Sequence, residues 1–142
     1  EESNFVANAK PRYRYFLGFI PTGRISSAEG YSQALNSTWK DYQRSTGRYR
    51  ATRRNFDDAT DFIGWYLNKA MSNLHIESND TYSLYLAYHE GIYGYKRKYP
   101  SFGPNLNKVA VRVDNRKIKY EKDASQCQKN LAFWHWLYFW DH

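Results

Sequence analysis

The chain has little cysteine, glycine and proline, and it lacks a long apolar run. Its single cysteine, Cys127, has no partner for a disulfide within the chain, and no Cys/His spacing fits a structural zinc site. A lone cysteine of this kind is normally a small buried hydrophobe. Eight glycines and four prolines in 142 residues exclude a low-complexity composition. Because no stretch of about 20 apolar residues is present, no segment is predicted to span a bilayer as a helix.

What the chain does have is a large share of aromatic residues and an excess of positive charge. Aromatics make up 19% of 142 residues, so we expect a single domain with a ring-rich core. Twenty-one Lys and Arg against 14 Asp and Glu leave a net charge of +7, which favours anionic partners such as nucleic acid, anionic lipid or an acidic polymer. The chain begins with Glu-Glu rather than Met, which suggests a processed or trimmed protein, and any signal segment is not shown.

Apolar residues recur at helical intervals from residue 31 onward. We predict helices at about 31–46, 55–74, 81–90 and 106–127. Asn55 or Asp57 caps the second helix, and the ESND segment at 77–80 caps the third. Gly91 ends the third helix, and a Gly/Tyr loop is expected after it. The alternation in VAVRV, at 109–113, leaves a strand open as an alternative there.

The two ends of the chain have a different character from the helical middle. Residues 1–9 fit the last turns of a helix, which Pro11 ends. Residues 10–30 mix Pro, Gly and Ser with aromatic rings, a composition that predicts a long ordered loop with a short hairpin. The tail LAFWHWLYFW, at 131–140, has no periodicity, and its Trp and Tyr content would suit a membrane interface or a groove on a protein partner. The alternative is that this tail folds back on the core.

No metal or cofactor site emerges from the sequence. His89-Glu90 begins like the zinc motif HExxH, which needs a second histidine one helical turn later, but Tyr93 stands at that position. Ser-His-Asp and Cys-His arrangements cannot be recognised from sequence order, and glycine-rich phosphate loops are absent. We therefore expect a function without a metal or a cofactor.

Three fragments are informative when they are taken together and in this order along the chain: ESNFVANA at 2–9, EGYSQALNSTW at 29–39 and YLAYHEG at 85–91. They resemble the SLT-type lytic transglycosylases of the lysozyme-like superfamily, whose signature is an ESxFxxxA segment, a GLMQ helix start and an AYNAG segment. The segment at 55–70 resembles the linking helix of that family, so the resemblance covers nearly residues 1–128. The matching residues are Glu2, Ser3, Phe5, Ala9, Gly30, Gln33, Ala87, Tyr88 and Gly91.

The chain also departs from the family pattern. The gap between Glu2 and Gln33 is wider than usual, and Pro11 replaces the expected small polar residue. Ser32 and His89 stand where the family has Met and Asn. An enlarged loop at 10–30 would explain the gap, and altered contacts with sugar or peptide would follow from it.

The resemblance implies an all-α, lysozyme-like fold over residues 1–130, followed by an aromatic tail at 131–142. It also implies cleavage of the MurNAc–GlcNAc bond of peptidoglycan glycan strands, with formation of 1,6-anhydro-MurNAc, in the bacterial cell envelope and specifically the periplasm. Glu2 would be the single general acid and base, while Gln33 and Tyr88 would hold the sugar and its acetamido group. Neighbours in the same motifs are further candidates for substrate binding: Ser3, Tyr31 and His89.

Two other glutamates compete with Glu2. Glu90 lies at a helix C-terminus, where the helix macrodipole disfavours a carboxylate and is expected to raise its pKa. Glu29 precedes the Gly30 that opens the second motif, and it is expected to lie on the surface.

Other functions stay open at this point. The same fold could serve a catalytically inactive protein that binds peptidoglycan or acts as an envelope scaffold. Tyrosine-laced basic stretches at 10–16, 48–54 and 93–99 fit a saccharide groove, a groove for single-stranded nucleic acid or solvated faces. Nucleic acid is a less favoured partner than glycan. Hydrolysis of the same bond by a muramidase differs from lytic transglycosylation only in its product. The sequence does not predict an oligomeric state.

Overall fold

The computed structural model describes the backbone of residues 6–11, 13–16, 20–24 and 26–139 and the side chains of residues 6–11 and 26–127. The predicted helix end at 1–9 therefore lies mostly outside the described residues; within it, Ala9 N donates to Val6 O (3.1 Å) and closes a turn. The described elements follow in the order β1 (Tyr13–Phe16), β2 (Ile20–Arg24), α1 (Asn36–Thr46), α2 (Phe56–Leu74), α3 (Thr81–Glu90), α4 (Ile92–Lys98) and α5 (Pro104–Phe139).

Strands β1 and β2 pair as an antiparallel hairpin within the segment that was predicted as an ordered loop with a short hairpin. Tyr13 lies opposite Arg24, and the register shifts between Arg14 and Tyr15, which indicates a β-bulge. All other described elements are helices. The predicted all-α class is therefore confirmed, and the predicted hairpin is confirmed with it.

The boundaries of α2 and α3 follow the capping residues read from the sequence. Asn55 Oδ1 accepts a hydrogen bond from Asp58 N (2.9 Å), and Asp80 Oδ1 accepts one from Ser83 N (2.9 Å). Each side chain thereby satisfies a backbone donor that has no partner inside its helix. At the other end of α3, Gly91 breaks the helix with a φ of 75°.

The helical prediction was wrong at two places, the start of α1 and the segment after Gly91. Helix α1 begins at Asn36 rather than at 31, because the residues before it form a turn with left-handed backbone angles. The predicted Gly/Tyr loop is the helix α4, which Tyr95 anchors by its burial. The strand alternative at 109–113 is excluded, since α5 runs through it with Ala110 buried. Cys127, expected to be buried, is exposed.

The chain forms two compact units, Glu1–Lys69 and Ala70–His142, with the division inside α2. The core of the first unit is a cluster of aromatic rings from α1 and α2, in which neighbouring centroids lie 5.1 to 6.4 Å apart. Its members are Trp39, Tyr42, Phe62, Trp65 and Tyr66. This cluster confirms the predicted ring-rich core.

The second unit has a smaller and more aliphatic core, in which α5 packs against α3 and α3 against α4. Small residues at the helix contacts allow this close packing. The buried members are Ala70, Leu86, Ala87, Tyr95 and Ala110. In the described part of the chain, no helix is both long and apolar enough to cross a membrane.

Candidate active site

The second motif folds as a tight turn, here called the Gln33 turn, which comprises residues Glu29 to Ala34. Glu29 N donates to Ala34 O (3.3 Å) and Gln33 N donates to Gly30 O (3.3 Å), which closes the turn from both sides. Gly30 and Gln33 both have a positive φ, of 76° and 50°. Because a residue with left-handed angles cannot continue an α-helix, this turn delays α1 and presents Gln33 immediately before it.

The Gln33 turn is bonded to the end of the first motif. The carbonyl oxygen of Ala9 accepts from Gly30 N (3.0 Å) and also from Gln33 Nε2 (3.1 Å). Gln33 Nε2 donates its second hydrogen bond to Gly30 O (2.8 Å). Two motifs that are 24 residues apart in the chain therefore meet at one carbonyl group.

Gly30 is required at its position by a close approach of two backbones. Tyr31 N donates to Arg53 O (3.1 Å), which brings the segment before α2 against the turn. A Cβ atom added at Gly30 would lie 2.0 Å from that same oxygen of Arg53. Both the space and the positive φ therefore exclude any other residue without a backbone shift.

Glu29 is the centre of a charge cluster that holds the turn. Its carboxylate contacts Lys10 (3.2 Å), Arg53 (3.0 Å) and Arg54 (2.8 Å). The hydrogen bonds from Arg54 lower the pKa of Glu29 below its usual range, against the opposing effect of burial. The prediction that Glu29 lies on the surface was therefore wrong, since its side chain is only 18% exposed and is fully engaged.

Arg53 ties this charge cluster to the backbone of the turn. Its Nη1 donates to the carbonyls of Ser27 (3.0 Å) and Ala34 (2.9 Å), while Nη2 donates to Glu29 (3.0 Å). Sequence reasoning missed this role, because the basic stretch at 48–54 was assigned only to a glycan groove, a nucleic-acid groove or a solvated face. The signal available was an arginine-rich segment in a chain whose second motif begins with a glutamate.

Tyr31 is partly buried and packs the turn against the start of α2. Its ring meets the ring of Phe56 edge to face, with centroids 5.5 Å apart. Gln33 is held by hydrogen bonds rather than by ring packing, because its side-chain NH₂ group donates to two backbone carbonyls. Within the described residues, Gln33 Oε1 accepts no hydrogen bond.

The third motif lies in the last turn of α3, where Tyr88 is half-buried and His89 is exposed. Glu90 forms an ion pair with Lys98, and His89 Nδ1 lies 3.4 Å from Glu90 Oε1. The hydrogen bond from Lys98 lowers the pKa of Glu90, so the predicted rise was wrong. A full charge in direct contact outweighs the partial charge of the helix end.

Glu2 and Ser3, two of the predicted site residues, lie outside the described residues. Among the others, the structure groups Tyr31 and Gln33 in one turn, and it groups Tyr88, His89 and Glu90 at one helix end. Within the described residues, no group of three or more His, Cys, Asp or Glu side chains has the arrangement of a metal site.

The family model described as "Transglycosylase SLT domain" matches residues 1–127 of the chain. The chain belongs to this family. The recognition made from four motif fragments is thereby confirmed, together with the lysozyme-like helical fold class. Membership of the transglycosylase SLT family makes peptidoglycan, the cell-envelope glycan on which the family acts, the substrate class of the domain. No curated protein and no solved structure shows significant similarity to the chain.

Proposed function

We propose that this member of the transglycosylase SLT family is an active lytic transglycosylase of the periplasm. It cleaves the MurNAc–GlcNAc bond and leaves a 1,6-anhydro-MurNAc end, with Glu2 as the single acid and base. Family membership supports the reaction class. The observation that carries the assignment of residues is the double hydrogen bond at Ala9 O, which joins the motif containing Glu2 to Gln33.

The proposed reaction needs one carboxyl group in two protonation states. Glu2, as the acid, gives its proton to the glycosidic oxygen while the bond from that oxygen to C1 of MurNAc breaks. The C6 hydroxyl oxygen of the same sugar then forms a bond to C1, and the Glu2 carboxylate removes the hydroxyl proton. The acid is thereby restored and no water is consumed, in contrast to glycosidases that use a second carboxylate.

Gln33 is proposed to bind the sugar through Oε1. Because its NH₂ group is held by two backbone carbonyls, the amide orientation is fixed and the oxygen is presented as an acceptor. Such an acceptor suits an N–H donor, which the acetamido groups of the glycan supply. Tyr88 is proposed as a second contact for the sugar. Ser3, Tyr31 and His89 are proposed as further contacts.

Glu90 is a weaker candidate for the acid than Glu2. A general acid must keep its proton near neutral pH, and the lowered pKa of Glu90 opposes this. Its neighbour Lys98 also occupies the carboxylate that would have to face the glycosidic oxygen.

The test is peptidoglycan zymography of the full chain together with the Glu2→Gln and Glu90→Gln variants. We expect Glu2→Gln to reduce clearing by about 10²- to 10⁴-fold, the usual contribution of a positioned acid. Glu90→Gln has the same change of charge and serves as the matched control, with clearing close to that of the unmodified chain. Unchanged clearing by Glu2→Gln would overturn the assignment of that residue.

The products identify the reaction. Mass spectrometry of the released muropeptides should show anhydro ends, 18 Da lighter than reducing ends by the mass of one water, whereas reducing ends would indicate muramidase hydrolysis. A chain that binds sacculi but releases no muropeptide would overturn the enzymatic proposal in favour of a glycan-binding or scaffold protein.

A further inference from the structure

Residues 118–127 of α5 lie beyond the packed part of the second unit. Lys117 Nζ donates to Asn79 O (2.7 Å), which is a contact between this helix and the loop before α3. After it, every residue from Ile118 to Cys127 is exposed. At a rise of about 1.5 Å per residue, the ten exposed residues span about 15 Å of helix. A surface of this length is open to a partner.

One side of α5 carries a row of positive charges, here called the basic stripe and made of Lys108, Arg112, Lys119 and Lys122. These four residues are exposed, and their spacing of i, i+4, i+11 and i+14 places them within an arc of about 80° on a helix with 3.6 residues per turn. Exposed Val111 and Ile118, at 50% and 61%, lie about 20° and 40° outside this arc on one side.

The sequence changes character directly after this region. The family match ends at residue 127, and from Asn130 to Trp140 the chain has no Asp, Glu, Lys or Arg. The backbone remains helical up to Phe139. Trp134 and Trp136 lie in this charge-free segment, so aromatic residues follow the basic stripe along the same helix.

We propose that the C-terminal half of α5 docks on the surface of an anionic lipid bilayer. Lysines and arginines near an anionic surface are attracted to its headgroups, and tryptophan is enriched at the boundary between headgroups and acyl chains. Exposed aliphatic residues beside the charges, such as Ile118, suit a helix that lies in this boundary. The docking would hold the catalytic domain close to the membrane.

Charge favours a bilayer over a second copy of the chain as the occupant of this surface. Each chain has a net charge of +7, so two basic stripes brought together would repel each other. An anionic bilayer has the complementary sign and accepts the aromatic residues as well.

The experiment is flotation of the full chain with vesicles. Vesicles of phosphatidylcholine containing about a third phosphatidylglycerol should bind it, and vesicles of phosphatidylcholine alone should bind it at least about tenfold more weakly. Raising the salt from about 0.01 M to about 0.15 M shortens the screening length from about 30 Å to about 8 Å and should weaken the binding to anionic vesicles. Equal binding to both vesicle types would overturn the proposal.

Two pairs of variants test the residues. Lys119→Gln with Lys122→Gln should lower the partition coefficient about 25-fold, at about fivefold for each lysine near the surface. Lys40→Gln with Arg50→Gln removes the same charge from exposed positions outside α5 and is the matched control, with an expected loss under threefold. Equal losses in the two pairs would overturn the assignment to α5.

The tryptophans that follow the basic stripe are tested by a third pair of variants with a matched control. Trp134→Ser with Trp136→Ser should lower binding at least about tenfold, whereas Tyr49→Ser with Tyr93→Ser, which removes two exposed rings elsewhere, should not. Sedimentation equilibrium without lipid tests whether a second copy of the chain occupies this surface instead. A dimer that the Lys119→Gln and Lys122→Gln substitutions weaken would overturn the proposal. Release of muropeptides from soluble glycan fragments should be the same in all variants, which separates this test from that of the catalytic residues.

Discussion

The Gln33 turn and the C-terminal end of α3 both carry family motif residues beside a glutamate whose pKa is lowered, yet they are held in different ways. In the Gln33 turn, Arg53 binds the carboxylate of Glu29 and two backbone carbonyls at once. At the end of α3, Lys98 binds only the side chain of Glu90. The turn depends on its cation for backbone geometry, whereas the helix end is already held by its own backbone hydrogen bonds.

Under the proposed function, this difference makes the Gln33 turn the region that would position the substrate. A glutamine whose NH₂ group is fixed by Ala9 O and Gly30 O has little freedom left, so it can select one orientation of a sugar. Its position is set by the turn and therefore by the contacts of Arg53 and Glu29 that hold the turn. Changes in those residues should disturb the molecule more than equivalent changes at the helix end.

Gly30→Ala should give the largest effect. The new Cβ would lie 2.0 Å from Arg53 O, and the φ of 76° is unfavourable for alanine. Steric overlap of this kind and the left-handed conformation together are expected to cost about 3 kcal/mol of unfolding free energy. Urea denaturation followed by circular dichroism measures it, and peptidoglycan clearing should fall with it because Gln33 moves.

Two other glycines serve as controls for Gly30. Gly47 has a φ of 71° and nothing within 4 Å of an added Cβ, so Gly47→Ala should cost only about 1 kcal/mol. Gly64 lies in α2 with open space around it, and Gly64→Ala should stabilise the protein by about 0.5–1 kcal/mol. If Gly30→Ala lowered the free energy of unfolding no more than Gly47→Ala does, the close approach to Arg53 would not contribute to the effect.

Arg53→Met and Lys98→Met compare the two cations directly. Arg53 is 16% exposed and its removal leaves two carbonyls and a carboxylate with fewer donors, so we expect a loss of about 2 kcal/mol. Lys98 is 45% exposed, and a single exposed ion pair is worth about 0–1 kcal/mol. Denaturation of both variants under the same conditions measures the difference. Losses of equal size would contradict the structural role of Arg53.

Helix positions and the family could be predicted from local patterns, because capping residues and apolar periodicity act within a few residues. Asn55 and Asp80 cap the helices as predicted. The Gln33 turn could not be derived in the same way. It depends on Arg53, 20 residues after Gln33, and no local pattern indicates a contact between two backbones at that separation.

The errors at Glu29 and Glu90 have a shared physical cause. Both carboxyl groups were judged by their own position in the chain, as a surface residue and as a helix end. The charges that determine their pKa come from other segments, Arg54 in one case and Lys98 in the other. The pKa of a carboxyl group is set by its spatial neighbours, which only the folded chain reveals.

The smallest expected effect is the response to acid. Glu29 and Glu90 have a pKa below the ordinary 4.5 in the folded protein, so their ionised forms stabilise it. This stabilisation is complete above about pH 4.5 and is lost as the pH falls below it through the folded pKa, because the unfolded chain takes up the protons first. The free energy of unfolding should therefore fall in this window.

Glu29→Gln and Glu90→Gln divide this acid response between the two regions. Either substitution removes a group that is ionised when folded, so the decline below about pH 4.5 should become shallower. The reduction should be larger for Glu29→Gln, because three cations surround Glu29, whereas among the described residues only one lysine, Lys98, pairs with Glu90. Urea denaturation at several pH values measures the slopes. A slope that is unchanged in Glu29→Gln would mean that the cluster holds the turn equally well without a charged carboxylate, and Arg53 would then act through the two carbonyls alone.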